Sequence, residues 1–211
     1  MGIASNGIYG PIRGKVGQVV WYVVNGRGVA RGIGDRTAPR TKNEIQSSNR
    51  QNVLIDLFGR IKFFIKKGFL GAAEGTFQNY HNLAVSYNRK NAINPDKTKT
   101  DILFDKLLLT QGNLLMPQNP SVLKRAEGLE IKWAFNSSER HDDRTDRVML
   151  LAYFPNIKAQ VSELSGARRE KMQELLPISP ELLEETMHVY IAFCAEIGND
   201  VSNSVYLGQI N

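Results

Sequence analysis

Val16-Gly17-Gln18-Val19-Val20-Trp21-Tyr22-Val23-Val24-Asn25-Gly26-Arg27-Gly28-Val29-Ala30-Arg31-Gly32-Ile33 is the stretch from which the rest of the chain can be read. Its first half, Val16 to Val24, is β-branched and aromatic, the composition of a buried strand. Asn25-Gly26 then supplies the two residues that tolerate positive φ in a type I′ turn, the strongest short hairpin signal. The return segment from Arg27 to Ile33 alternates, with Arg27, Val29, Arg31 and Ile33 on one side and Gly28, Ala30 and Gly32 on the other. A face of Gly and Ala lets another backbone approach closely. The expectation is a basic, Gly-rich β-hairpin.

Downstream of it, residues 35–40 form a polar connector containing Pro39. Thr41-Lys42-Asn43-Glu44 fits a capping box, with Thr41 as N-cap and Glu44 at N3. Ile45, Val53, Leu54, Leu57, Phe58, Ile61, Phe64 and Ile65 follow at helical spacing, and Gly68 stands where a C′ residue would. That pattern predicts a helix of about 25 residues, with Arg50, Arg60, Lys62 and Lys66 on its opposite face. A shorter helix is expected from Thr76 to Asn91, with Phe77, Tyr80, Ala84 and Tyr87 on one stripe. Together they read as a helical hairpin, with Gly71 to Gly75 open to an irregular turn.

From about Asp101 the period changes to two. Expected strands are 102–109, 129–135, 147–154, 159–163, 172–176, 188–195 and 204–210, separated by turn signals at 117–120, 137–143, 155–156, 177–180 and 198–200. Seven short strands in this space fit a fibronectin-type-III or immunoglobulin-like β-sandwich, in which Trp133 is the expected core aromatic. The fold class is therefore α+β: an N-terminal β-hairpin plus helical hairpin over residues 1–100, followed by a sandwich over 101–211. No repeat with a fixed period of 20–50 residues suggests a solenoid.

The net charge of +6 is unevenly divided. Residues 1–100 carry 16 Lys/Arg against 5 Asp/Glu, and residues 101–211 carry 11 against 16. Such asymmetry suits a polyanionic partner or complementary packing between subunits. The single cysteine, Cys194, excludes an internal disulfide framework. Apolar runs fall well short of the roughly 20 residues of a membrane span, and the N-terminus lacks an apolar signal region. The expected location is the cytoplasm, or a particle assembled there.

Two resemblances add to this reading. Gly14-Lys15-Val16-Gly17-Gln18-Val19-Val20-Trp21-Tyr22, Gly28-Val29-Ala30-Arg31, and Pro39-Arg40-Thr41 with Gln46 and Arg50 resemble the N-terminal signature of a bacterial family of unknown function. Ala84-Val85-Ser86-Tyr87-Asn88, Asn91-Ala92-Ile93 and Val201-Ser202-Asn203-Ser204-Val205-Tyr206-Leu207-Gly208 are similar to its later blocks. The likeness covers nearly the whole chain and implies no activity. A looser likeness, to small phage and prophage structural proteins, rests on a basic hairpin followed by a Pro-x-Thr…Gln…Arg helix start; it implies assembly.

Chemical motifs do not survive inspection. Gly10-Pro11-Ile12-Arg13-Gly14-Lys15 lacks the preceding strand and the Ser/Thr and helix of a phosphate loop. Gly26-Arg27-Gly28 opens no helix, so it is no dinucleotide fingerprint. His81, His141 and His188 have no ligand spacing between them, and Cys194 sits in an apolar run as a small hydrophobe. Glu181, Glu184 and Glu185 beside Pro180 suit the start of a short helix. The reading is thus of a non-enzyme with no cofactor, no metal and no small-molecule substrate. Arg13, Lys15, Trp21, Tyr22, Arg27, Arg31, Arg36, Arg40 and Arg50 form the candidate interaction set. Three readings stand for it: a solvated edge that discourages strand pairing, a self-association surface making a homo-oligomer, and a grip on nucleic-acid phosphates with aromatics stacking on bases. The expected function is structural: a protein that builds a filament, ring or particle through its N-terminal hairpin, with nucleic-acid binding as the alternative.

Overall fold

Fifteen of the sixteen residues in two neighbouring strands, Arg147–Phe154 and Met187–Cys194, are buried, and the architecture is organised around them. The structure is a computed structural model that describes the chain apart from residues 1, 9–11, 25–26, 36, 95, 97–99 and 136–143. The elements run β1 (Gly2–Ile8), β2 (Ile12–Val16), β3 (Val19–Val24), β4 (Arg27–Gly32), α1 (Lys42–Arg60), α2 (Lys62–Ala73), α3 (Tyr80–Asn91), β5 (Gln118–Arg125), β6 (Gly128–Ala134), β7 (Arg147–Phe154), β8 (Ala159–Glu163), β9 (Gln173–Pro177), one turn of helix α4 (Pro180–Leu183), β10 (Met187–Cys194) and β11 (Val205–Ile210). They make three antiparallel sheets, ordered β1-β2-β3-β4, β11-β10-β7-β8 and β5-β6-β9. The protein is α+β.

Alternation along β7 and β10 explains how both faces of the central sheet are filled. Val148, Leu150, Ala152 and Phe154 share a cluster with Val189, Ile191 and Phe193 and with Leu129, Ile131, Trp133 and Leu176 of the three-stranded sheet. Met149, Leu151, Tyr153, Tyr190, Ala192 and Cys194, the intervening residues, belong to a second cluster with Leu54, Phe58, Ile61, Phe64, Ile65, Phe69 and Ala84 of the helices. One sheet therefore serves two cores. Strands buried on both faces carry continuous apolar runs, which is what Val-Met-Leu-Leu-Ala-Tyr-Phe at 148–154 is.

The helices differ from expectation in their joints. Thr41 and Glu44 form the capping box, but the first helix breaks at Ile61, and α2 continues to Ala73. Gly68 lies inside α2 and is not its C′ residue. A Cβ there would fall 2.5 Å from the Leu109 carbonyl oxygen, so this glycine permits a close backbone approach. Gly71 is likewise helical, packed against Asn199, and the turn is made at Gly75 with φ +74°. The following helix begins at Tyr80, capped by Asn79, whose side chain accepts from the Asn82 N–H at 2.8 Å. Phe77 lies before it and is exposed.

Residues 102–109 are not a strand. Phe104–Lys106 is a 3-10 turn, and the chain beyond it is held mostly by side chains. Asn88 Nδ2 donates to the Leu108 carbonyl at 2.8 Å, while the Leu108 N–H donates back to Asn88 Oδ1 at 2.8 Å. The Leu109 N–H donates to Ser204 Oγ at 2.8 Å, Thr110 Oγ1 donates to the Ser202 carbonyl at 2.7 Å, and the Gly112 N–H donates to Asn203 Oδ1 at 3.2 Å. The Gln111 N–H donates to the Gly68 carbonyl at 2.9 Å. This segment is wedged between helix and sheet, and polar side chains satisfy the backbone groups that a ladder would otherwise take. The seventh strand of the two C-terminal sheets is instead β5, over the region whose Pro117 and Pro120 read as turns.

N-terminally, the hairpin of β3 and β4 is present, with register Val19↔Gly32 to Val24↔Arg27; its expected Asn25-Gly26 turn lies outside the described residues. Two further strands, β1 and β2, extend it to a four-stranded meander.

Replacing Asn88 with Ala removes both partners of the Leu108 peptide groups. The expected loss, read from urea unfolding, is about 1–3 kcal/mol. Asn91→Ala, which removes only an exposed bond to the Tyr87 carbonyl, should stay within about 0.5 kcal/mol of the parent.

Candidate interaction surface

The register of the N-terminal sheet decides where each candidate residue points. Gly14 pairs with Trp21 and Trp21 with Ala30, whereas Lys15 pairs with Val20 and Val20 with Arg31. Ile3 pairs with Arg13, and Tyr22 with Val29. Because side chains alternate across a strand, Arg13, Lys15, Tyr22, Arg27 and Arg31 share one face with Ile3, Val20 and Val29. The other face carries Ile12, Val16, Val19, Trp21 and Val23 among Gly14, Gly28, Ala30 and Gly32. The sheet is therefore two-sided, basic on one face and apolar on the other.

The strand expected to be buried over Val16 to Val24 is not: within the described chain Val19, Val20 and Val23 are only half-buried, and neither face of the sheet is fully covered. Val16 is 54% exposed, Trp21 36% and Tyr22 38%, and Lys15, Arg13 and Arg31 are exposed. Arg27 touches the body of the protein, its guanidinium 4.6 Å above the ring centroid of Phe77. Tightness at the outer edge is local: a Cβ on Gly2 would meet Val16. The tight turn joining β2 to β3 uses Gly17 at φ +59°, where a side chain would be strained.

The remaining candidates do not join this face. Trp21 lies on its apolar reverse. Arg40 is exposed in the connector, and Arg36 lies outside the described residues. Arg50 is half-buried on α1, where its Nη2 donates to the Asn94 carbonyl at 3.0 Å.

Of the other residues weighed in the sequence, Trp133 is buried, donates its Nε1–H to the Arg169 carbonyl at 2.7 Å and meets the Phe193 ring edge-on. Cys194 is a buried free thiol whose pKa burial raises. His141 and the turn at 137–143 lie outside the described residues. Glu181 is in the first turn of α4. Among the described residues no three His, Cys, Asp or Glu side chains gather as metal ligands, and no helix is long and apolar enough to cross a membrane.

Sequence reading missed a buried ion pair. Arg169 Nη2 lies 2.8 Å from Asp146 Oδ2 and donates to the Leu115 carbonyl at 2.9 Å, with the guanidinium 3.9 Å above the Phe193 ring. Nothing in Arg168-Arg169-Glu170-Lys171 distinguishes the one side chain that turns inward from its half-buried and exposed neighbours. His188 is the second residue of β10 and is buried. It stacks on Phe104 with centroids 3.8 Å apart, and its Nδ1 is 2.8 Å from the Tyr206 hydroxyl.

The fold and this surface define an α+β protein of antiparallel sheets and helices with a two-faced N-terminal sheet. The chain belongs to the Family of unknown function (DUF6266), which it matches over residues 11–208. Comparison with curated proteins finds no match. Neither result carries the looser likeness to phage structural proteins.

Burial lowers the pKa of His188 from the ordinary 6.5. As pH falls through that value the unfolded chain takes up a proton that the folded ring refuses, so this residue's contribution makes folding less favourable below about pH 6.5 and has no such effect above it. The urea midpoint should fall between about pH 7.5 and pH 5.5, and His188→Gln should show a shallower fall over the same range.

Proposed function

We propose that this is a non-catalytic assembly protein: a fibronectin-type-III-like sandwich backed by three helices, which associates with copies of itself through its N-terminal sheet. With the seven C-terminal strands lettered A to G in chain order, the sheet orders become A-B-E and G-F-C-D. This differs from the ABED and CFG arrangement of an immunoglobulin constant domain only in the fourth strand, which pairs with C rather than E. That difference favours the fibronectin type III variant of the sandwich.

Self-association is supported above all by the apolar face of the sheet. Ile12, Val16, Val19, Trp21 and Val23 form a contiguous strip beside flat rows of Gly and Ala, and a sheet with one apolar face needs a second layer to remove it from water. A second copy offers that layer, because sheets pack face to face about 10 Å apart. The opposite, basic face then points outward. That outward face suits the acidic half of a further copy, since residues 1–100 carry a balance of +11 and residues 101–211 one of −5. The free edges β1 and β4 give a route for extension by strand addition.

Light scattering tests this. The full chain should have a mass above the monomer, and Trp21→Glu, placing a charge in the middle of the apolar strip, should shift it towards the monomer. A monomeric full chain at high concentration overturns the reading.

The second reading, nucleic-acid binding, is favoured by one observation: Arg13, Lys15, Arg27 and Arg31 share a face with Tyr22. In that case binding to random-sequence duplex DNA weakens steeply as salt rises, and removing Arg31 lowers the slope of log K against log salt by about one. No binding at low salt removes it.

A further inference from the structure

Three adjoining cavities run over α1 and α3, away from the N-terminal sheet. The smallest, about 240 Å³, is lined by Asn43, Gln46, Ser47, Arg50 and Arg89. It shares Asn43 and Ser47 with a second hollow that reaches Arg40, and Arg89 with a third that reaches His81 and Lys90. Every polar side chain lining the smallest cavity can donate a hydrogen bond, and none of them is a carboxylate. Glu44, in the neighbouring hollow, already accepts from the Thr41 N–H at 2.8 Å and the Thr41 hydroxyl at 3.0 Å.

The two guanidinium groups are only partly used. Arg89 Nη2 donates to Ser47 Oγ, and Arg50 Nη2 donates to the Asn94 carbonyl. Arg50 Nε is buried and meets no acceptor among the described residues. Arg89 is exposed and stays hydrated, so the cost lies with Arg50, whose buried Nε is left unanswered unless an acceptor completes it. Core packing does not account for these residues, since α1 buries Leu54, Leu57 and Phe58. Gln46 and Arg50 belong to the N-terminal block singled out in the sequence.

We propose that this cavity is a binding site for a phosphate-class oxyanion. Its volume is below the usual range for a cofactor or drug-sized ligand, roughly 300–1,000 Å³, and suits one anionic group. Guanidinium forks recognise phosphate and carboxylate alike. Two guanidinium groups, two amides and a hydroxyl offer more donors than the roughly four lone-pair sites of a carboxylate, which favours phosphate. The site stands on the helices and is independent of self-association by the sheet.

The test is titration of the full chain with inorganic phosphate at constant ionic strength, read by calorimetry and by the melting midpoint, with succinate in parallel. Phosphate should bind saturably and raise the midpoint. Arg89→Gln should weaken binding by about ten-fold or more, the worth of one charge-assisted bond, while Lys66→Gln leaves it unchanged. Arg50→Gln removes the Asn94 contact as well, so Arg89→Gln carries the test and Arg50→Gln supplements it where it folds. Absence of saturable phosphate binding, equal binding by Arg89→Gln, an equal loss in Lys66→Gln, or tighter binding of succinate overturns the proposal.

Discussion

The constraint on which the molecule depends is the burial of β7 and β10 on both faces. Each fully buried aliphatic or aromatic side chain contributes about 1.5–3 kcal/mol relative to exposure, and these two strands bury fifteen residues. Such strands have no solvent side to which a polar residue could retreat. The helices and the three-stranded sheet are therefore cover for the same element and depend on it in common. At its end the Asp146–Arg169 pair closes the inter-sheet core, with Arg169 stacked on Phe193 and its carbonyl holding Trp133. Removing either charge alone takes from a buried group the opposite charge 2.8 Å away, which is far worse than never having placed the pair.

Most of the fold was legible in local pattern. Strands β6 to β11 lie within a residue or two of where their composition puts them, because turn residues punctuate each one. The misses share a cause: the local sequence allowed two answers and tertiary contacts chose. Pro120 suggested a turn, but β5 is an edge strand with a register shift between Gln118 and Ser121 and Asn119 at φ +45°, and a bulged edge tolerates proline. Residues 102–109 alternate like a strand, yet Asn88 and Ser204 take the bonds that a neighbouring strand would make. Gly68 resembles a helix end and is in fact a point of contact. β1 is short of β-formers, being Gly-Ile-Ala-Ser-Asn-Gly-Ile, and only its pairing with β2 reveals it. The unbroken apolar runs of β7 and β10 did announce two-sided burial, but a period-two reading of the whole region passed over them.

The candidate surface was readable to the extent that parity alone could take it. Alternation correctly separates Arg27, Val29 and Arg31 from Gly28, Ala30 and Gly32, and the register adds Arg13, Lys15 and Tyr22 to the basic side. Trp21 falls on the other side for the same reason. Arg40 and Arg50 share only their charge with that group; Arg40 lies in the connector and Arg50 on α1. Two blocks that carry the family likeness, Ala84–Asn88 and Val201–Ser204, have a shared structural task, since both grip the backbone between Leu108 and Gly112.

That grip has a temporal consequence. Asn88 and Gly68 hold the wedge from the helical side, and Ser202, Asn203 and Ser204 hold it from the sheet. A chain emerging from the ribosome can form its helices early, but it cannot lock them in place until residues 201–204 have followed more than a hundred residues later. Contacts of such long sequence separation slow folding. Until those residues follow, the helices lack half of the hydrogen bonds that fix the wedge against them.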